Sequence, residues 1–153
     1  MKLSSNDSCL CGSQKKYKKC CKTFHDKITF PKTALELMKS RYSAFATSNC
    51  DYIIFTTHQL NSDFTTDLKS WKEDILNFSK NTKFEELEIL DFIDDEIESF
   101  VTFKATLFQG KNDISFIEKS RFIKTDGIWK YVDAEFREEG QKWKYYFLQV
   151  KQK

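Results

Sequence analysis

Four cysteines fall within thirteen residues near the start of the chain, at Cys9, Cys11, Cys20 and Cys21 of CLCGSQKKYKKCC. Four thiolates can enclose a cation tetrahedrally, and soft sulfur selects zinc or an iron–sulfur cluster over hard cations. A tight turn through Gly12 points Cys9 and Cys11 at one ion, and the eight residues after Cys11 return the chain to Cys20 and Cys21. A disulfide within either close pair would close a small, strained ring, and the two-residue spacer of a redox C-x-x-C is missing. Zn²⁺ is therefore the expected ion, in a structural role because protein fills all four positions. The segment has too few apolar residues for a core of its own, so metal binding must supply its folding energy, on the order of 10 kcal/mol or more. His25, four residues beyond Cys21, is a conceivable substitute ligand, but a solvent-exposed linker histidine is the preferred reading.

Lys15, Lys16, Lys18 and Lys19 lie between the ligands, where they offset the net negative charge of a four-thiolate zinc centre and favour the thiolate form. Residues 1–32 carry eight lysines against Asp7 and Asp26, a net of +6, whereas residues 33–153 carry 17 basic and 21 acidic groups, a net of −4. A basic head on a mildly acidic body makes those four lysines the candidate contact for an anionic partner.

The rest of the chain must position this head. Pro31, the one proline, marks a boundary between residues 1–32 and a main domain of residues 33–153. Thr33 with Glu36 fits a capping box, and Ala34, Leu37, Met38, Tyr42 and Phe45 follow at helical spacing. A short second helix is expected over Asp51–His58, and a third over Thr66–Ser79 with Leu68, Trp71, Ile75 and Phe78 on one side. From Phe84 the period becomes two. One strand is expected to show Leu87, Ile89, Asp91 and Ile93 on one face, and the next Val101, Phe103, Ala105 and Leu107. Asp126-Gly127 is the strongest hairpin signal between Ile114–Lys124 and Trp129–Phe136, and Trp143–Val150 is a last strand or an extended tail. Helices followed by consecutive antiparallel strands predict an α+β fold, with helices on one face of a curved sheet.

The body holds no evident catalytic constellation. Arg41, Tyr42, His58, Glu118, Arg121 and Asp133 are the candidate polar residues of a pocket between helices and sheet. His58, the body's one histidine, is a candidate general base or, more simply, a cap. Arg41 and Arg121, if buried, need a carboxylate such as Glu118 or Asp133, so salt bridges are the expectation. Cys50 reads as a small apolar filler, and Trp71, Trp129 and Trp143 as core or rim packing. MKLSSNDSCL is not a secretory signal, no segment has the apolar length of a membrane span, and clustered cysteines fit a cytoplasmic metal site.

CLCGSQKKYKKCC resembles the SEC-C motif, the small zinc module found at the end of the SecA translocation ATPase, with Leu10 in place of its usual proline and Gln14 in place of its second glycine. TALELMKSRYSAFATSNCDYIIFTTH, EKSRF and GIWKYVD resemble the middle domain of YchJ-type proteins. That resemblance implies a nuclear-transport-factor-two-like cone, helices against a curved antiparallel sheet. Many such proteins carry a second SEC-C motif near the end, but LQVKQK holds none. The resemblance implies a zinc-binding adaptor whose basic head docks on an acidic protein or a ribosomal surface. Two alternatives stand beside it: a small-molecule binder or enzyme using the cone, and non-specific nucleic-acid binding by the head. Tyr17 is the one aromatic within the lysine cluster, which argues against base-specific readout.

Overall fold

The computed structural model describes residues 3–137 and the two-residue strand Lys144–Tyr145. A 3₁₀ turn at Tyr17–Lys19 leads into four helices, α1 (Cys21–His25), α2 (Ala34–Ala46), α3 (Cys50–Phe55) and α4 (Leu68–Asn81). Six strands follow: β1 (Lys83–Ile93), β2 (Glu98–Gln109), β3 (Asn112–Asp113), β4 (Phe116–Thr125), β5 (Ile128–Arg137) and β6 (Lys144–Tyr145). They form one open antiparallel sheet in the order β1-β2-β4-β5-β6, with β3 paired to β2. This is the α+β arrangement expected from the order of periodicities.

Each long helix starts on a side-chain cap. Thr33 accepts from the Glu36 N–H, and Asp67 from the Ser70 N–H. The Glu36 carboxylate reaches the Lys32 N–H rather than that of Thr33, so the expected box closes one residue early. α2 lies across β1, β2 and β5. Leu37, Met38 and Tyr42 join Trp71, Ile75, Val101, Phe103 and Phe122 in one core cluster.

Three expectations need correction. Residues 21–25 are helical, so what reads as connector begins with a turn of helix. Leu68 is 48% exposed, because it occupies the first turn of α4, ahead of the buried Trp71–Ile75 face. β1 departs from strict alternation. Register shifts between Phe84 and Glu86 and between Ile89 and Asp91 re-phase the strand twice. Phe84, Leu87, Ile89 and Phe92 consequently all pack on the core, while Asp91 and Ile93 turn outward. β2, with no such shift against β4, keeps Val101, Phe103, Ala105 and Leu107 buried together. Asp126 and Gly127 both have positive φ (53° and 79°), the conformation that a tight two-residue hairpin requires. The expected last strand lies outside the described residues except for Lys144–Tyr145, which pairs with Phe136 and Glu135. Trp143 also lies outside them.

Candidate functional site

Cys9 and Cys11 sit on a turn closed by Gly12 N–H donating to the Cys9 carbonyl (3.4 Å) and by Cys9 N–H donating to Lys15 (2.8 Å). Gly12 has φ of 84°, and a Cβ there would stand 3.8 Å from the Leu87 carbonyl of β1, so backbone conformation, more than space, requires glycine. Gln14, in the position where glycine is usual in the motif it resembles, also has a left-handed φ, 67°. The 3₁₀ turn then delivers Cys20, and Cys21 opens α1.

All four Sγ atoms lie within 4.8 Å of one another, with Cys9, Cys11 and Cys21 buried and Cys20 half-buried. Packed so closely, the thiols divide their protons unequally. Hydrogen bonding from Cys21 holds Cys11 well below the thiol range and Cys20 down to about 6. Hydrogen bonding with Cys11 pushes Cys9 up to about 11 and Cys21 far above the usual range. Thiols this close favour a dication, which would displace the protons they hold. The four cysteines can hold a metal ion. Lys15, Lys16, Lys18 and Lys19 are all exposed, while Tyr17 between them turns inward.

The inward turn has a partner that sequence reading placed in solvent. His25 is buried, 7% exposed, because α1 lays it against α2. Tyr17 Oη lies 2.6 Å from its Nδ1, and its Nε2 is 2.8 Å from the Ser40 carbonyl. A carbonyl only accepts, so Nε2 carries the proton and Nδ1 accepts from the tyrosine. With both nitrogens engaged, His25 anchors the head on the body and is not among the clustered ligands. Burial holds it below the usual histidine range.

From this anchor a polar path runs through α2 and α3. The Ser40 hydroxyl meets Tyr52 Oη at 2.7 Å, Thr56 Oγ1 donates to the Tyr52 carbonyl at 2.8 Å, and Arg41 Nη1 donates to Thr56 Oγ1 at 2.7 Å. Arg41 Nη1 also donates to Ile53 O and Thr57 Oγ1, and its guanidinium lies 4.6 Å over the Tyr131 ring. Thus the path ends at the floor of the cone.

There a cavity of about 500 Å³ opens between α2, α4 and the sheet. Its walls include Phe45, Phe78, Phe84, Phe103 and Phe116, and its polar corner is made by Arg41, Glu118, Ser120 and Tyr131. Glu118 and Ser120 share one face of β4, opposite Phe136 and Ala134 of β5. The Ser120 hydroxyl donates to Glu118 Oε2. Burial pushes the Glu118 carboxyl up to about 7 and raises Tyr131 well above the usual phenol range. Burial lowers Arg41, though a guanidinium stays charged at any ordinary pH.

Of the candidate pocket residues, Arg41, Tyr42, Glu118 and Asp133 line the cavity. Tyr42 packs edge-to-face on Phe84, and burial raises its phenol above the usual range. Asp133 borders the space, but its carboxylate is committed to a bidentate pair with Arg121, at 2.9 Å to both Nε and Nη2. Arg121 also reaches Glu98 and does not line the cavity. Its neighbours in the ladder, Ser120 and Phe122, take the inner face, so alternation turns Arg121 outward. His58 is likewise not among the lining residues. Its Nδ1 accepts from the Leu60 N–H at 3.0 Å and its own N–H donates to the Tyr131 carbonyl, so it caps a turn and fastens α3 to β5. Ser120 and Tyr131 were not singled out from sequence, although both lie in the quoted segments EKSRF and GIWKYVD.

The fold and site define a class: an NTF2-like helix-on-sheet cone fronted by a four-cysteine module. Residues 33–134 match the family model described as YchJ, middle NTF2-like domain, and residues 6–22 match the SEC-C motif. A UPF0225 protein of Vibrio parahaemolyticus is 33% identical over 134 residues, covering 86% of this chain and 77% of that relative. One from Streptomyces coelicolor is 35% identical, covering 84% and 94%. The chain belongs to the YchJ family, UPF0225. Two solved SEC-C motif containing proteins share its fold. That from Rhodopseudomonas palustris has a TM-score of 0.74 at 29% identity, covering 84% of this chain and 98% of its own. That from Psychrobacter arcticus has a TM-score of 0.70 at 26% identity, covering 84% and 82%. Among the described residues no helix is long and apolar enough to cross a membrane.

Proposed function

We propose that this protein is a zinc-stapled binding protein whose cone takes up a small organic molecule. The cavity carries this reading: about 500 Å³ of aromatic-walled space with one convergent polar corner at Arg41, Glu118 and Tyr131. That combination of apolar wall and few placed polar groups is how small-molecule sites are generally built. The head contributes by fixing α1, and through His25 the middle of α2, where Arg41 follows Ser40. Zinc as the resident ion is supported by the sulfur spacing. Cys11 and Cys20 Sγ are 3.6 Å apart and Cys20 and Cys21 Sγ 4.0 Å, and these bracket the edge of about 3.8 Å of a tetrahedron with Zn–S near 2.3 Å.

The test is titration of the zinc-loaded chain with N-phenyl-1-naphthylamine or its sulfonate, followed by fluorescence and amide chemical shifts. Saturable one-to-one binding that moves the Arg41, Glu118 and Tyr131 resonances is the expected result. The absence of any saturable site for either dye would overturn the reading.

A second reading is favoured by the exposure of Lys15, Lys16, Lys18 and Lys19, close together in the chain. In it the head is a docking surface for an acidic protein or a ribosomal face. Reversing these charges should abolish capture of that partner and leave the zinc content unchanged. Non-specific nucleic-acid binding by the same lysines is distinguished by affinity that falls steeply with salt.

A further inference from the structure

We infer that the ligand of the cone is an amphipathic organic monoanion, an aromatic or similarly apolar body carrying one carboxylate or sulfonate that Arg41 receives. The inference rests on the cone being a binding site and names its ligand class. Arg41 is 9% exposed, and a buried guanidinium ordinarily meets a carboxylate. Here its hydrogen bonds go to the Ile53 carbonyl and the Thr56 and Thr57 hydroxyls, all uncharged oxygens, and all leave from Nη1. A guanidinium has five donors in a planar fork, so Nη2 and Nε are left for bidentate capture of an anionic head.

The surroundings set the charge of that head. Glu118 faces the same corner from β4, with Arg41 from α2, Tyr52 from α3, Tyr131 and Asp133 from β5 and Asp63 from the segment after α3 as the charged or titratable groups around this cluster. Burial favours the neutral Glu118 carboxyl, which donates where a carboxylate would repel. Arg41 is thereby left as the cation of the floor. Asp74 also lines the cavity, and a carboxylate there disfavours a second negative charge on the ligand, which restricts the class to monoanions. The phenylalanine walls receive the apolar body.

The test compares 1-anilinonaphthalene-8-sulfonate with N-phenyl-1-naphthylamine, the same ring system without the charge, on the zinc-loaded full chain. The sulfonate should bind at least tenfold more tightly at pH 6. Its affinity should fall about tenfold by pH 8.5, as Glu118 ionises and competes for Arg41. Glu118→Gln should make that affinity independent of pH over the same range, and Arg41→Lys should remove most of the preference for the charged dye. Equal binding of the two dyes in the cavity overturns the anion assignment and leaves the binding-protein reading standing. No binding of either overturns both. Sulfonate-induced shifts confined to Lys15–Lys19 would place the anion on the head and overturn the assignment to Arg41.

Discussion

Replacing Glu118 by glutamine should make the protein more stable, and increasingly so as the pH rises. Glu118 is 8% exposed, and burial moves its carboxyl from 4.5 to about 7 in the folded chain. Between those values the folded state holds a proton that the unfolded state has released. Raising the pH therefore favours unfolding across that window, and the contribution is fully lost once the pH passes the folded value. At 1.36 kcal/mol per pH unit the penalty grows to about 3 kcal/mol by pH 9 and is about 1 kcal/mol at pH 5. Glutamine mimics the protonated acid in shape and in hydrogen bonding and cannot ionise. Urea denaturation of the zinc-loaded native chain and Glu118→Gln between pH 5 and 9 reads the difference directly. The two curves should diverge with rising pH. Parallel curves would mean that the carboxyl is ionised in the folded protein at neutral pH, and that the cavity floor is neutralised from within.

Substitutions at two further positions probe the head. His25→Ala removes the Tyr17 and Ser40 hydrogen bonds and a ring packed 4.8 Å from Tyr52, so it should cost about 3 kcal/mol in urea denaturation. A linker histidine in solvent would cost nothing measurable. Because burial lowers His25, its neutral form stabilises the fold above the unfolded value of 6.5, and that contribution should be lost as pH falls below it; His25→Phe should show a weaker acid dependence. Gln14→Gly relieves a left-handed φ of 67° and should tighten metal binding by about 1 kcal/mol, roughly fivefold in a chelator competition.

What could be read from sequence was whatever depends on neighbours along the chain. Val101, Phe103, Ala105 and Leu107 alternate because β2 is paired regularly with β4, and a period of two survives intact into the fold. β1 obeys the same physics but carries two register shifts, and nothing local to Asp91 or Phe92 announces which of them turns inward. His25 was misplaced for a related reason. In a lysine-rich stretch its burial is decided by Ser40 and Tyr52, far along the chain, not by its own neighbours. The cavity was least legible of all. Whether Glu118 and Arg41 face a space or one another depends on how far the sheet curves away from α2, a property of the whole sheet.

The polar path from Tyr17 through His25, Ser40, Tyr52 and Thr56 to Arg41 joins the cysteine module to the cavity floor through five hydrogen bonds. Two sites that share such a path are thermodynamically reciprocal. By whatever factor a cation at the cysteines alters the affinity of Arg41 for its ligand, that ligand alters the affinity of the cysteines for the cation by the same factor. If that factor differs from one, a preparation stripped of the cation is a different receptor for the ligand, and a constant measured at one end belongs to the state of both.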